Sequence, residues 1–336
     1  VIFQDEIEAL SEDVAALEAE GVTMIIALNH VGLPKDLEIA AAVDGIDVVI
    51  GGHSHTLMSN TEEGAPAYPT IVDGTPVAQA YAYSKYIGQL TVTFDDAGNV
   101  TFASGEPILL DASVTPDAAM AARIAEMEAP IKEFTETVVA EALAPIEGDR
   151  SVCRAEECAM GSLITDAMLA RVADQGVTIA LQNGGGIRAT IDAGPVTMGE
   201  IMTVLPFQNT LATFEVDGAA IVAALENGVS KVEEGAGRFP QVAGLTFTWD
   251  PTADPGARIT EVLVSEGSGF APIDEARTYL VVTNNYVRNG GDGYAMFGGD
   301  DKNAYDFGPD LADVLAEFMA AQGPVTPYTE DRIIRK

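Results

Sequence analysis

TMIIALNHVGLPKDLEIAAAVDGIDVVIGGHSHT, residues 23–56, is the stretch on which the reading of this chain turns. It holds all three histidines, His30, His53 and His55. Met24 to Leu28 is a continuous apolar run that ends in Asn29 and His30. Ile46 to Ile50 is mostly β-branched and ends in Gly51-Gly52-His53-Ser54-His55. Residues 36–43 between them have helical composition. The pattern predicts strand–helix–strand, with histidines at the carboxyl ends of both strands, the edge where open α/β sheets bind ligands. A lone histidine after a strand is usually structural. Three at adjacent strand ends, with glycines that let the backbone come close, suit a metal site. In an extended segment, H-x-H sends both rings to one side, toward one metal or two neighbouring ones.

The chain around this stretch has 336 residues, 47% of them hydrophobic, enough for two cores. Seventeen basic residues face 52 acidic ones, giving a formal charge of −35. Such a surface repels nucleic-acid backbones and anionic membranes, so neither is expected as a partner. It suits salty surroundings, where screening relieves self-repulsion. No run of about 18 apolar residues predicts a membrane span. The two cysteines, Cys153 and Cys158, are separated by four residues in CRAEEC, which is not the C-x2-C of zinc ribbons or redox sites. Two buried thiols or a short-loop disulfide both fit. The locality of the pair and the lack of any other cysteine favour the disulfide, which implies an oxidising compartment.

In chain order, Ile7, Leu10, Val14 and Leu17 at helical spacing predict an amphipathic helix over 4–20. Residues 58–69 read as a polar loop. Residues 76–108 read as β structure with a turn at 95–98. The Ala- and Glu-rich stretch 113–147 predicts a helical linker, with Thr115-Pro116-Asp117 at its start, Met120, Ile124 and Met127 on one face, and Pro130 kinking or dividing it. Beyond it, helices are expected at 159–173, 198–204, 217–228 and 309–322. Strands are expected at 177–181, 211–216, 244–250, 260–265 and 278–283. The domains are therefore placed at 1–112 and 148–336, joined by 113–147.

A second constellation lies in the later domain. Asn183-Gly184-Gly185-Gly186-Ile187-Arg188 follows a predicted strand. Its glycines would leave backbone amides open to an anion, and Arg188 can fork onto a phosphate or carboxylate. Arg154 stands beside Cys153. Phe207 and Tyr286 each sit in a strand-to-loop segment flanked by Asn and Gly, and two such rings can sandwich a flat base. Asp292 in NGGDGY can accept from sugar hydroxyls. Taken singly, these features also fit ordinary turns, core packing and surface charge.

NHVG followed by GIDVVIGGHSHT resembles the last metal-ligand blocks of the dinuclear metallophosphoesterases, in the branch that contains the 5′-nucleotidases. CRAEECAMGSLITDAM, NGGGIR, TVLPFQNTL and NGGDGY, in that order, resemble their C-terminal substrate-binding domain. The resemblance implies an α/β protein: part of a metallophosphoesterase sandwich, a linker helix that lets one domain rotate against the other, and an α+β C-terminal domain. It implies two divalent metal ions, zinc, manganese or similar, with His30 and His53 on one and His55 on the other. It implies Arg154 and Arg188 at the phosphate, Asn183 and Asp292 at nucleoside hydroxyls or base edges, Phe207 and Tyr286 stacked on the base, and Asn209 bonded to it. It also implies the Cys153–Cys158 disulfide. None of the family's D-x-H, G-D and G-N-H-E blocks, the last carrying its catalytic histidine, lies upstream of Thr23, so the resemblance implies a chain that lacks the first half of the metal domain, and no catalytic residue is assigned. The implied function is metal-dependent hydrolysis of nucleoside 5′-phosphates in the periplasm or outside the cell. The alternatives are a related phosphohydrolase of cyclic nucleotides, 3′-nucleotides or nucleotide sugars, or a non-catalytic nucleotide-binding module.

Overall fold

The structure, a computed structural model, describes residues 4–267, 269–299 and 302–336. The chain forms two compact units, 1–122 and 123–336.

In the first unit, helix α1 (Glu6–Ala19) starts where Asp5 accepts hydrogen bonds from the Ile7 and Glu8 amides. Then come β1 (Ile26–Leu28), α2 (Leu33–Ala42), β2 (Val48–Ile50), β3 (Thr70–Val72) and β4 (Thr75–Ala78). The sheet order is β1-β2-β4-β3. β1, β2 and β4 run parallel, and Leu28 is in register with Ile50. The expected strand–helix–strand therefore brings residues 29–30 and 51–53 to one sheet edge. α2 starts at Leu33-Pro34, earlier than its composition suggested, because proline suits a first helical turn that needs no amide donor. Ile25, Ala27, Ile39, Val49, Met58 and Val77 form the core. β5 (Tyr86–Phe94) and β6 (Val100–Leu109) make a long hairpin, its turn tied by Asp95 Oδ1 accepting from the Ala97 and Asn99 amides.

Helix α3 (Ala118–Thr135) contains the boundary between the units. Pro130 does not divide it, and Met120, Ile124 and Met127 are exposed. The expectation of helix to residue 147 is corrected: α3 stops at Thr135, and residues 138–142 form a strand.

The second unit runs β7 (Val138–Ala142), α4 (Arg150–Cys153), α5 (Ala159–Arg171), β8 (Ile179–Asn183), β9 (Gly194–Thr197), α6 (Met198–Val204), β10 (Leu211–Asp217), α7 (Gly218–Val229), β11 (Pro240–Ala243), β12 (Leu245–Trp249), β13 (Ile259–Ser265), β14 (Phe270–Pro272), β15 (Thr278–Asn284), α8 (Asn285–Arg288), α9 (Leu311–Gln322) and β16 (Ile333–Arg335). β7 pairs antiparallel with β9, a partner remote in sequence, which is why local composition misread it. The main sheet is ordered β10-β15-β8-β11, and a second sheet β14-β13-β12-β16. β8 is central, parallel to β15 and antiparallel to β11. Its Ile179 and Leu181 enter a core with Phe214, Val281 and Trp249, and its Ala180 enters one with Leu163, Ile164 and Leu315. A strand covered on both faces reads as continuously apolar. Asp217 caps α7 as expected, accepting from the Ala220 amide. Among the described residues, no helix is long and apolar enough to cross a membrane.

Candidate functional site

At the edge of the first unit, the His30 and His53 rings meet edge to face, centroids 5.2 Å apart. A Cβ on Gly52 would lie 2.9 Å from His30 Nδ1, so a glycine is needed for this approach. His55 instead meets Tyr83, centroids 5.0 Å apart. The expectation that H-x-H directs both rings to one side is corrected. His53 and His55 have φ of 71° and 58°, so the segment is not extended and the alternation of a strand does not apply. Backbone strain of this kind costs about 1–3 kcal/mol per residue and is held only by surrounding bonds. Gln79 supplies them here: its Oε1 accepts from the Thr56 amide and the Ser54 hydroxyl, and its Nε2 donates to the Gly52 carbonyl.

Asp36 lies under this edge, fully buried. Its Oδ1 accepts from Asn29 Nδ2 at 3.1 Å, and its Oδ2 has no hydrogen-bond partner among the described residues. Burial pushes its carboxyl above the usual range, opposed by Asn29 and by His30. Two imidazoles in contact at the ends of neighbouring strands have the donor chemistry of a metal site. Among the described residues, no group of three or more His, Cys, Asp or Glu side chains is gathered to complete one.

In the second unit, the Cys153–Cys158 disulfide is formed, with Cα atoms 5.1 Å apart. Gln241, fully buried, staples the loop it closes: Nε2 donates to the carbonyls of Cys153 and Glu156, and Oε1 accepts from the Cys158 amide. Arg154, next to the disulfide, is 8% exposed and donates to the Gly235 carbonyl at 3.2 Å. The glycines after β8 serve close approach rather than open anion binding. The Gly184 and Gly185 amides donate to the carbonyls of Phe239 and Gly237, and a Cβ on Gly184 would collide with the Cys153 carbonyl oxygen. Two amides expected to be open to an anion are thus already bonded.

The expected substrate residues gather in two sets. Arg188 lies over the Phe207 ring, 5.7 Å from its centroid, and donates to the Gly185 carbonyl. Asn183 donates to Asp292 Oδ2 at 2.7 Å, and Tyr286 Oη donates to Asp292 Oδ1 at 2.9 Å. The loop at Gly237 adjoins both sets, packing on Gly185 with Asp292 Oδ2 close by. Asn209 is partly buried, and its carbonyl accepts from the Leu311 amide at the start of α9. Phe207 and Tyr286 are about half exposed. Arg238, whose guanidinium is held by Asn227 and Ser230, stands beside the Asp292 turn.

The 5′-nucleotidase C-terminal domain model matches residues 135–299. The chain is 35% identical over 99% of its length to the snake venom 5′-nucleotidase of Crotalus adamanteus, and spans 60% of that protein. It is 34% identical to the snake venom 5′-nucleotidase of Macrovipera lebetinus, over 98% of its own length and 87% of the other. The chain belongs to the 5′-nucleotidase family. The 5′-nucleotidase precursor from Thermus thermophilus has the same fold, with 38% identity and a TM-score of 0.92 over 99% of this chain and 68% of that one. The mixed α/β architecture is thus that of the 5′-nucleotidase family.

Reading the 5′-nucleotidase motifs alone missed Asp36, Gln79, Arg238, Gln241 and Asn284. Asn284 opens the Asn284-Asn285-Tyr286 segment that follows the strand expected at 278–283, and a polar pair ending an apolar strand was its only signal. The others are single polar residues in ordinary contexts, and folding alone brings them to the sites.

Proposed function

We propose that the protein carrying this chain hydrolyses nucleoside 5′-phosphates to nucleoside and phosphate, with divalent metal ions at the histidine edge. The observation that carries the reading is the convergence of Asn183, Asp292 and Tyr286 by hydrogen bonds, alongside Arg188 on Phe207, in one folded unit. The functional division we propose is 1–112, 113–147 and 148–336, with the nucleoside site in the last part.

Phe207 and Tyr286 stack the base, Asn209 bonds it, and Asn183 and Asp292 receive the ribose hydroxyls. Arg154 and Arg188 draw the phosphate, local positive charge in a chain of net charge −35. His30 and His53, with His55, contribute imidazole ligands. When bound, such metals supply a water of lowered pKa and offset charge on the phosphate. The disulfide and the venom origin in the relatives' names support an exported location, periplasmic or extracellular.

Calorimetric titration of the chain with AMP, adenosine and inorganic phosphate tests the site. AMP and adenosine should bind at micromolar to millimolar strength, about −4 to −8 kcal/mol. Phe207→Ala should weaken both by about 1–3 kcal/mol. Arg188→Ala should weaken AMP more than adenosine. A folded chain that gives no heat with millimolar adenosine or AMP refutes the assignment.

A further inference from the structure

Tyr286 and Asp292 hold each other twice. The phenol donates to Asp292 Oδ1 at 2.9 Å, and the Asp292 amide donates back to the phenol oxygen at 3.1 Å. The Tyr286 ring lies on Gly291, where a Cβ would come within 2.5 Å of Cζ. Burial and the Asp292 charge push the phenol's pKa up, favouring the protonated form that donates. The other carboxylate oxygen takes Asn183 Nδ2 at 2.7 Å.

Asn183 cannot turn its amide over. Its Oδ1 accepts from Asn284 Nδ2 at 3.0 Å and from Gln182 Nε2 at 3.3 Å. Asn284, fully buried, is fixed in turn by the Val287 amide donating to its Oδ1. That bond caps α8, the helix that carries Tyr286. Both arms that reach Asp292 thus start from one buried amide. Asp292 itself has a φ of 54°, a left-handed conformation unfavourable to a residue with a Cβ, and these bonds hold it there.

An ionised carboxylate offers about four acceptor positions. Here one bond reaches each oxygen, which leaves acceptor capacity on both. Two donors on adjacent atoms match that arrangement, as in a vicinal diol.

We propose that the Tyr286 hydroxyl is a positioning group that fixes the Asp292 carboxylate for a vicinal diol, and so sets the preference of the site for ribose over deoxyribose ligands. The proposal rests on the nucleoside reading above. Phenylalanine at 286 keeps the ring and its stacking area but frees the carboxylate to rotate.

The test is calorimetric titration of the full chain and of Tyr286→Phe with adenosine, 2′-deoxyadenosine, 3′-deoxyadenosine and adenine. Tyr286→Phe should raise the adenosine Kd roughly tenfold, the value of one hydrogen bond to a charged group, and each deoxynucleoside Kd less than about twofold. Adenine affinity should not move, which also reports that the ring and fold are intact. An unchanged adenosine Kd overturns the proposal, as does an equal loss for all four ligands. In either case a wild-type chain that binds adenosine leaves the nucleoside reading standing. If the wild-type chain binds neither adenosine nor adenine, both readings fall.

Discussion

β1 and β8 each end in residues of a candidate site, and they are built differently. β8 is a central strand, buried at every position, with hydrogen-bonded neighbours on both sides. β1 is an edge strand of three residues, with Ile26 60% and Leu28 82% exposed. The polar groups beyond β8 satisfy one another: Gln182, Asn183, Asn284, Asp292 and Tyr286 form one connected set. At the edge where β1 and β2 end, Asp36 keeps a buried oxygen without a hydrogen-bond partner among the described residues, and the two histidines after β2, His53 and His55, hold left-handed backbone. A closed network orients its members before a ligand arrives. A buried carboxylate with an unmatched oxygen instead stores unfavourable free energy. The polar network at the end of β8 is therefore preorganised by its own unit, and the histidine edge is held under strain.

The sharpest way to break this contrast is to remove the centre of the closed network. Asn284→Ala deletes the cap of α8, takes the donor from Gln182 Oε1 and leaves Asn183 Oδ1 with the Gln182 bond alone. It should destabilise the second unit by about 3 kcal/mol. Hydrogen exchange should show faster exchange in β8, β15 and α8, and no change over residues 26–56. Equal acceleration in both units would show that the network is not local to its own unit.

The opposite sign is expected at the histidine edge. Asp36→Asn removes a buried charge while keeping an oxygen to accept from Asn29. The metal-free chain should gain about 1 kcal/mol. Urea denaturation at neutral pH measures it, and a loss of more than that amount would mean that the ionised carboxylate is stabilised by contacts beyond Asn29.

The smallest effect concerns acid. Asp149 caps α4, the helix leading to Cys153 and Arg154, through bonds from the Ser151 hydroxyl and amide. Those bonds hold its carboxyl below the ordinary range. A depressed folded pKa gives stability that is present above the unfolded value and lost as pH falls through the folded one, so the loss belongs below about pH 4. Asp149→Asn should flatten that acid limb slightly in a series of pH-dependent melts and leave stability at pH 7 nearly unchanged. An identical acid limb would exclude this carboxylate from it.

Much of this architecture was legible in the chain itself. Apolar runs bounded by Gly, Asn and His marked β1, β2, β8 and β15; burial on both faces writes that signal in β8, whereas β1 carries it with Ile26 and Leu28 exposed. Asp217 marked the start of α7 because capping is a local bond. NGGGIR, NGGDGY and GGHSHT marked both sites because close backbone approach admits glycine and little else. Strands β3, β7, β9, β11, β14 and β16 were not legible: they are three to five residues long, and their pairing partners lie elsewhere. Nor could the sequence say that His53 pairs with His30 while His55 turns to Tyr83, since two left-handed residues overrode the alternation of a strand. By itself the sequence determined which residue types sit at which strand ends, because local burial and turn chemistry fix those. Only the tertiary structure decided that Gln182 and Asn284, 102 residues apart, would join to orient Asn183 and so hold Asp292. The physical reason is that a hydrogen bond between buried amides depends on the register of β8 against β15, a long-range fact that no local pattern encodes.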